Sequence, residues 1–397
     1  MPAQTFDVVI VVWGEQFLRL FLDVCVPNQL TPGNLGALPP GSRYRVFTTP
    51  EDVATLESSP ALEKVGELMP LDIIGARHLS ASGKSRFSRM TECHRQALRD
   101  ARDRNAALIF LCADHLLSEG AFAAVVRRHS RGSRAVMCTG LRVCRDEFLA
   151  ALARGDGADV SPRDLVSTAL GHLHAFTHAH VADGVRTAIR PIGVYWTVPG
   201  EGLLARCIQL HPLMVDPLRP EVLPEDTIDG HYVRRACPSR SHVHVVTDSD
   251  ELVIFEMSKS DEGAISTVRG KMPAWRTAAM LSHADSHQQW YWSQPVRLHV
   301  RDVSDRWRSV ERRAVGFAAR AVALSHLRRY AKPRRLVGIF RRDGLLGKPL
   351  RRAALTRSKR LRRSVALMTH VVLRGALKIR KRAARAGRRV VRRVRPA

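Results

Sequence analysis

The sequence predicts an α/β protein, a doubly wound mixed β-sheet with helices on both faces, continued by a strongly basic helical tail. Three observations lead there. Short β-branched runs alternate with segments of helical periodicity through the first half of the chain. Aromatic, hydroxyl or acidic residues follow several of those runs, at the strand ends where such sheets gather ligands. Lysine and arginine crowd one end of the chain instead of being spread along it.

Val8-Val9-Ile10-Val11-Val12 is apolar on both faces, as a strand inside a parallel sheet must be, and it ends at Trp13-Gly14. Phe17, Leu20, Phe21 and Val24 then recur at helical spacing until Pro27, where the helix should break. Tyr44–Phe47 reads as the second strand. In the Thr48-Thr49-Pro50-Glu51-Asp52 stretch that follows, Thr49 is placed to cap a helix, with Pro50 at its first position and two acids in its first turn. Leu71–Ile74 is a third strand, and a polar loop over His78–Ser88 leads to a helix over Arg89–Asn105. Ala107–Leu111 and Ala135–Thr139 are the fourth and fifth strands. Beyond them Leu165–Val181 looks helical, while Ile192–Val198, His242–Thr247 and Leu252–Phe255 look like strands. Proline-rich Pro212–Pro224 reads as extended or looped chain. No internal repeat is present.

Charge separates body from tail. Residues 331–397 hold 24 of the 64 Lys and Arg but one of the 37 acids, Asp343, so the tail carries +23 of the net +27. The other 330 residues are nearly neutral, and at 45% hydrophobic overall the chain has ample material for a core. Seven cysteines with no Cys-x-x-Cys pair fit neither a disulfide framework nor a structural zinc site. The N-terminus has no basic patch before its first strand, so a signal peptide is not expected, and no apolar run approaches the ~18 residues of a membrane span. The expected location is the cytosol, peripheral on the inner face of the membrane.

The residue that draws attention first is Asp114, a carboxylate just past a buried strand in Cys112-Ala113-Asp114-His115. It either caps a helix starting near Ser118 or offers oxygen to a hard divalent cation that shares its coordination with phosphate. Lys84 and Arg86, in the polar loop before the long helix, are phosphate contacts or simply solvated charge. Asp248-Ser249-Asp250-Glu251 puts three acids into four residues, a charged turn or, less favoured, a second oxygen-rich cation or acceptor site.

The first strand with Trp13-Gly14, the Thr48–Asp52 helix start and the strand ending in Cys112-Ala113-Asp114 together resemble the nucleotide half of GT-A-type, family-2-like, nucleotide-sugar glycosyltransferases. The likeness runs over roughly residues 6–300 in order and pattern. It implies a donor nucleotide held by Trp13, Thr48 and Asp52, and Mn²⁺ or Mg²⁺ on Asp114, the second acid of an Asp-x-Asp motif. Cys112 stands where the first acid would be, a departure that weakens the metal assignment because cysteine is a poor partner for those ions. His299 corresponds to a late histidine that some members use as a metal ligand, and a lone strand histidine is also an ordinary structural residue. In Pro224-Glu225-Asp226-Thr227-Ile228-Asp229 the resemblance implies a general base for the acceptor hydroxyl, Asp226 first and Asp229 next. Acids that begin a helix through His231-Tyr232-Val233 are the plain alternative.

Other motifs fail on inspection. Gly83-Lys84-Ser85 has His78 where a P-loop needs its first glycine. His174 and His178 share a helical face, but the Glu of a His-Glu-x-x-His motif is absent, and His172, His174, His178 and His180 fit a hydrogen-bonded cluster better. No Gly-x-Ser-x-Gly elbow is present. Trp290-Tyr291-Trp292 could wall a sugar site, but core packing is the simpler expectation.

In the tail, Leu361, Val365, Met368, Val372, Ala376, Ile379, Ala383 and Val390 recur mostly every three or four positions among Lys and Arg, with Gly375 and Gly387 as weak points. Such a basic amphipathic helix over 361–394 suits an anionic membrane surface better than nucleic acid, since it offers almost no aromatics for base stacking. The expected organisation is a GT-A-like domain over 1–300, a helical connector over 301–330 and the basic tail over 331–397. The expected activity is sugar transfer from a nucleotide diphosphate to a glycan or lipid-linked acceptor at the cytoplasmic membrane face. The alternative is a degenerate, non-catalytic domain whose tail binds nucleic acid or membrane.

Overall fold

The computed structural model describes residues 5–330, except 82, 84, 155–160 and 264, and the side chains only as far as 327. The chain divides into two compact units, Met1–His326 and Leu327–Ala397. Only the first is described below, and the readings placed on the basic tail lie outside the described residues.

Strands appear in the order β1 (Phe6–Val11), β2 (Arg43–Thr48), β3 (Leu71–Gly75), β4 (Ala107–Cys112), β5 (His115–Leu117), β6 (Ala135–Cys138) and β7 (Gly140–Cys144). The second half adds β8 (Arg186–Ala188), β9 (Gly193–Val198), β10 (Gly202–Cys207), β11 (His211–Val215) and β12 (Val243–Val245), then β13 (Ile254–Ser258), β14 (Thr267–Arg269) and β15 (Val296–His299). Seven of them form the main sheet in the order β12-β6-β11-β4-β1-β2-β3. All its pairings are parallel except those of β11, which runs against both β4 and β6. The sheet is therefore mixed, and β1 is buried along its whole length, as its unbroken apolar run requires.

The chain leaves β1 for β2 and β3 on one side and returns to β4 on the other, which makes the carboxyl ends of β1 and β4, paired as far as Val11 and Cys112, the switch point at whose crevice such sheets bind ligands. A small sheet, β5-β13-β7, continues directly from the end of β4 and forms the far wall of that crevice. Another, β15-β10-β9, carries a second core. There Trp307, Val310, Ala314, Phe317 and Ala321, one stripe of the helix Asp305–Tyr330, pack with Trp196, Leu204 and Trp292. No helix among the described residues is long and apolar enough to cross a membrane.

Several elements differ from expectation for local reasons. Pro27 does not end its helix: a π-helical turn over Phe21–Cys25 hands on to an α-helical turn over Val26–Gln29, with Pro27 near its start, where a missing N–H costs little. The long helix begins earlier, at Arg86, because the Ser85 hydroxyl accepts the Ser88 N–H, and it ends at Asn105 in the left-handed conformation. The helical stretch expected over Leu165–Val181 is two helices, Pro162–Gly171 and Ala175–His178, with His174 as the second one's cap. Pro212 lies within β11, tolerated by a register shift between Pro212 and Met214.

Trp292 and Tyr291 are buried, so the aromatic triplet serves mainly the core. Its helix, Ser286–Ser293, starts with a capping box. Asp285 Oδ1 accepts the His287 and Gln288 N–H groups at 2.8 and 2.9 Å, and Gln288 Oε1 accepts the Asp285 N–H at 3.0 Å. Asp285→Ala is expected to cost about 1–2 kcal/mol, read as a lower urea midpoint at unchanged slope.

Candidate active site

One lip of the crevice is built where β1 and β2 end. Gly14, at φ 83°, lets the chain turn back after Trp13, and its N–H donates to Asp52 Oδ2 at 3.1 Å. The Thr49 hydroxyl donates to the same oxygen at 3.0 Å, so Asp52 ties the two loops together. Trp13 is half-buried, with the Arg89 guanidinium 5.3 Å above its ring. Thr48 lies beneath this lip, fully buried, its hydroxyl without a partner among the described residues. Lys84 lies outside the described residues.

The other lip is the end of β4. Asp114 opens no helix: β5 follows at once, and the next helix, Ala121–Ser130, starts after Gly120. The backbone is locked here, with the Asp114 carbonyl accepting the Met257 N–H at 2.9 Å and the Ala113 carbonyl accepting the Cys25 thiol at 3.2 Å. The Asp114 side chain, partly exposed, takes no hydrogen bond from any other described residue. Burial raises its pKa to about 7, and the charge of Glu256 adds to the effect.

Glu256 comes from the centre of β13, paired across to His115 on β5 and to Arg142 on β7. Arg142 donates from Nε and Nη2 to Glu256 Oε2 at 2.9 and 2.7 Å, and its guanidinium rests 4.6 Å from the Phe176 ring centre. Gly263 stands so close to this guanidinium that a side chain there would displace it. Beyond Arg142 opens a cavity of about 1230 Å³ whose walls include Phe176, Glu262 and Gly263.

Cys112 does not replace the missing acid with another anion. Burial pushes its thiol well above the usual range, and the charges of Asp114, Glu256 and Asp229 push it further. His115 is also spoken for, since its Nδ1 accepts the Cys112 N–H at 3.2 Å, and burial holds it neutral. Cys112, Asp114 and His115 do bring their ligand atoms within 4.8 Å of one another, and of the three only Asp114 offers the oxygen that a hard cation prefers.

The loop expected to supply a base is strapped to the long helix. Arg95 donates to the carbonyls of Pro224 and Glu225 at 2.8 and 3.0 Å, and Thr91 donates to the carbonyl of Asp226. Asp226 and Asp229 are both exposed, and neither carboxylate forms a hydrogen bond or ion pair among the described residues. The charge of Asp229 is felt at Cys112 and at His211, whose Nε2 lies 2.7 Å from the Phe110 carbonyl at the base of the crevice. Asp226 exerts no such influence there. His299 is elsewhere: Asp114 and His299 belong to two separate groups of candidate ligands, His299 with Asp248 and Asp250. The two groups share no residue, so the structure gathers His299 with Asp248 and Asp250 and not with Asp114.

Sequence reasoning missed Glu256 and Arg142. The signal was present, an acid interrupting the apolar run Ile254-Phe255-Glu256-Met257, but the strand was read as ending at Phe255. Two of the four clustered histidines are hydrogen-bonded into the fold: His174 Nε2 meets the Lys259 carbonyl at 3.0 Å and His180 Nδ1 meets the Phe176 carbonyl at 2.8 Å, while His178 is exposed.

No protein-family model matches the chain, and no curated protein matches it. Among solved structures, a crystal structure of S. aureus TarS 1–349 aligns with TM-score 0.25 and 13% identity over 35% of this chain and 36% of that one. Another of S. aureus TarS aligns with TM-score 0.25 and 12% identity over 35% and 22%. The matched region thus spans about a third or less of either neighbour.

Proposed function

We propose that this chain is a cation-dependent glycosyltransferase that takes a sugar from a nucleotide diphosphate and passes it to a hydroxyl acceptor. The observation that carries the reading is Asp114, a carboxylate left without a side-chain partner where β1 and β4 end, with Glu256 beside it. A partly desolvated carboxylate whose proton affinity is raised by burial and by a neighbouring negative charge fits a divalent cation, Mn²⁺ or Mg²⁺, which when bound neutralises a departing diphosphate.

In this reading Trp13 and Asp52 frame the nucleoside side, Asp52 by holding Gly14 and Thr49 in place. Thr48 supports that lip from below. Arg142, braced by Glu256 and Phe176, orients and screens anionic oxygen at the entrance to the large cavity, which receives the acceptor. Asp229 takes the proton from the acceptor hydroxyl as that oxygen bonds to the anomeric carbon and the bond to the diphosphate breaks. Asp226, on the same strap, is the second choice for this role. A basic amphipathic tail over 361–394 would hold the enzyme at an anionic membrane, where glycan or lipid-linked acceptors lie.

The test is a thermal-shift series with UDP, GDP and CDP, each with and without Mn²⁺. One nucleotide should stabilise the protein in a metal-dependent way. Stabilisation by none of them would point instead to a non-catalytic domain. Asp229→Asn should lower kcat by roughly 10²–10⁴-fold while leaving nucleotide binding intact. Unchanged kcat in that variant, with loss in Asp226→Asn, moves the base to Asp226.

A further inference from the structure

A second polar cluster lies at the end of β15, in the small sheet β15-β10-β9. The turn after β12 runs beside β15: the Ser249 N–H donates to the Arg297 carbonyl at 2.9 Å, and the His299 N–H donates to the Ser249 hydroxyl at 3.1 Å. This lays Asp248 and Asp250 against the end of β15, where His299 is 2% exposed. The ring of His299 packs edge-on against Trp307, 6.2 Å between centres, so its orientation is set by the core.

Proton positions follow from its partners. His299 Nδ1 lies 2.8 Å from the Arg301 carbonyl, an oxygen that only accepts, so Nδ1 carries a hydrogen. Nε2 then aims its other face at Asp248 Oδ1, 2.8 Å away, with Asp250 Oδ1 at 3.9 Å. In a neutral imidazole that is a lone pair facing two carboxylates. The contact needs something positive in it, a second proton or a shared cation.

Charge balance favours the cation. Arg163 grips Asp250 through Nε and Nη2, with contacts of 3.0 and 2.7 Å, and reaches Asp302 at 2.8 Å. Because Arg163 is shared with the exposed Asp302, Asp248 and Asp250 keep more than one negative charge beside the buried imidazole, which a divalent ion cancels more fully than a single proton does. The ligand atoms of Asp248, Asp250 and His299 lie within 4.8 Å of one another, and both carboxylates are about two-fifths exposed, which gives an ion an entry path. A histidine whose far nitrogen donates to a backbone carbonyl is also the arrangement that orients metal-ligating imidazoles.

We propose that Asp248, Asp250 and His299 form a cation site separate from Asp114, suited by its one nitrogen and two oxygens to a borderline ion, Zn²⁺ before Mn²⁺. Bound there, the ion clasps the β12–β13 turn to β15, one residue before Val300 and Arg301 enter the wall of the large cavity. The site does not depend on the transferase reading.

The experiment uses the full chain, stripped with chelator and titrated with Zn²⁺ at pH 7.5 without nucleotide. To keep the two sites apart it is done in an Asp114→Asn background. One zinc per chain and a raised melting temperature are expected there, with an X-ray absorption spectrum showing a single imidazole among oxygen ligands. Adding Asp248→Asn, an exposed and isosteric change, should abolish both the binding and the shift, and His299→Gln should do the same. Absence of zinc in the Asp114→Asn protein, or zinc retained after Asp248→Asn, overturns the site and leaves His299 as an imidazolium paired with Asp248.

Discussion

Asp114→Asn is expected to abolish sugar transfer, by about 10³-fold or more, and at the same time to make the protein more stable at pH 8. The two effects share a cause. In the folded chain burial and the Glu256 charge hold the carboxyl at a pKa of about 7 against an ordinary 3.8, so the native state binds the proton more tightly than the unfolded state does. Stability from this group is therefore complete below pH ~4 and drains away as the pH rises through 7. At ~1.4 kcal/mol per pKa unit, and allowing for partial exposure, the loss at pH 8 is on the order of 2–4 kcal/mol. Asparagine never ionises, so the variant escapes it. Chemical denaturation from pH 4 to 8 should show the two proteins converging at the acid end and diverging above neutrality. Mn²⁺ should close the gap by rescuing the wild type alone. A difference that is flat with pH, or turnover that survives, would remove Asp114 from the centre of the mechanism.

The second large effect is expected at Gly202. Its φ of 152° and its position opposite His299 bring β10 against β15 so tightly that a Cβ would collide with the Leu298 carbonyl. The same atom would sit 3.0 Å from the His299 Cα and 3.0 Å from the Trp307 ring. None of the three obstacles is a flexible side-chain end. Gly202→Ala should cost about 3 kcal/mol or more, the sum of backbone strain and overpacking, and should loosen the helix Asp305–Tyr330 from the core under it. Gly200→Ala is the control. It also has a positive φ, 71°, but open space around it, so it should lose only about 1 kcal/mol. Equal losses in the two variants would mean that the close approach of β10 and β15 contributes nothing.

Six of the seven strands of the main sheet were legible because an apolar run such as Val8–Val12 is a local signal, and the positions of Trp13 and Asp114 at strand ends followed from it; β11 was hidden by Pro212. What escaped was whatever depends on a distant partner. β10 is fully buried, yet Arg206 and the glycine at its start hide it from any strand pattern, and only its pairing with β9 and β15 makes it a strand. Arg142 and Glu256 are 114 residues apart, and nothing near either announces that they will lie side by side. His299 was tied to a metal through the family resemblance, and a resemblance in order and pattern does not say on which sheet a residue will stand, here beside Asp248 and Asp250. The proposed preference for Asp229 over Asp226 likewise rests on a distant effect, the reach of its charge to Cys112 and His211.

The reversed strand β11 sets a timetable for synthesis. Roughly 75 residues separate the end of β6 from β11, which is the element that joins β6 to β4. Until it leaves the ribosome, a nascent chain has the four strands β4-β1-β2-β3 and the lone strand β6, each with open hydrogen-bonding groups, and no bridge between them. Fragments that stop short of Val215 should accordingly clump when expressed, and chaperone capture should be strongest over that interval of translation.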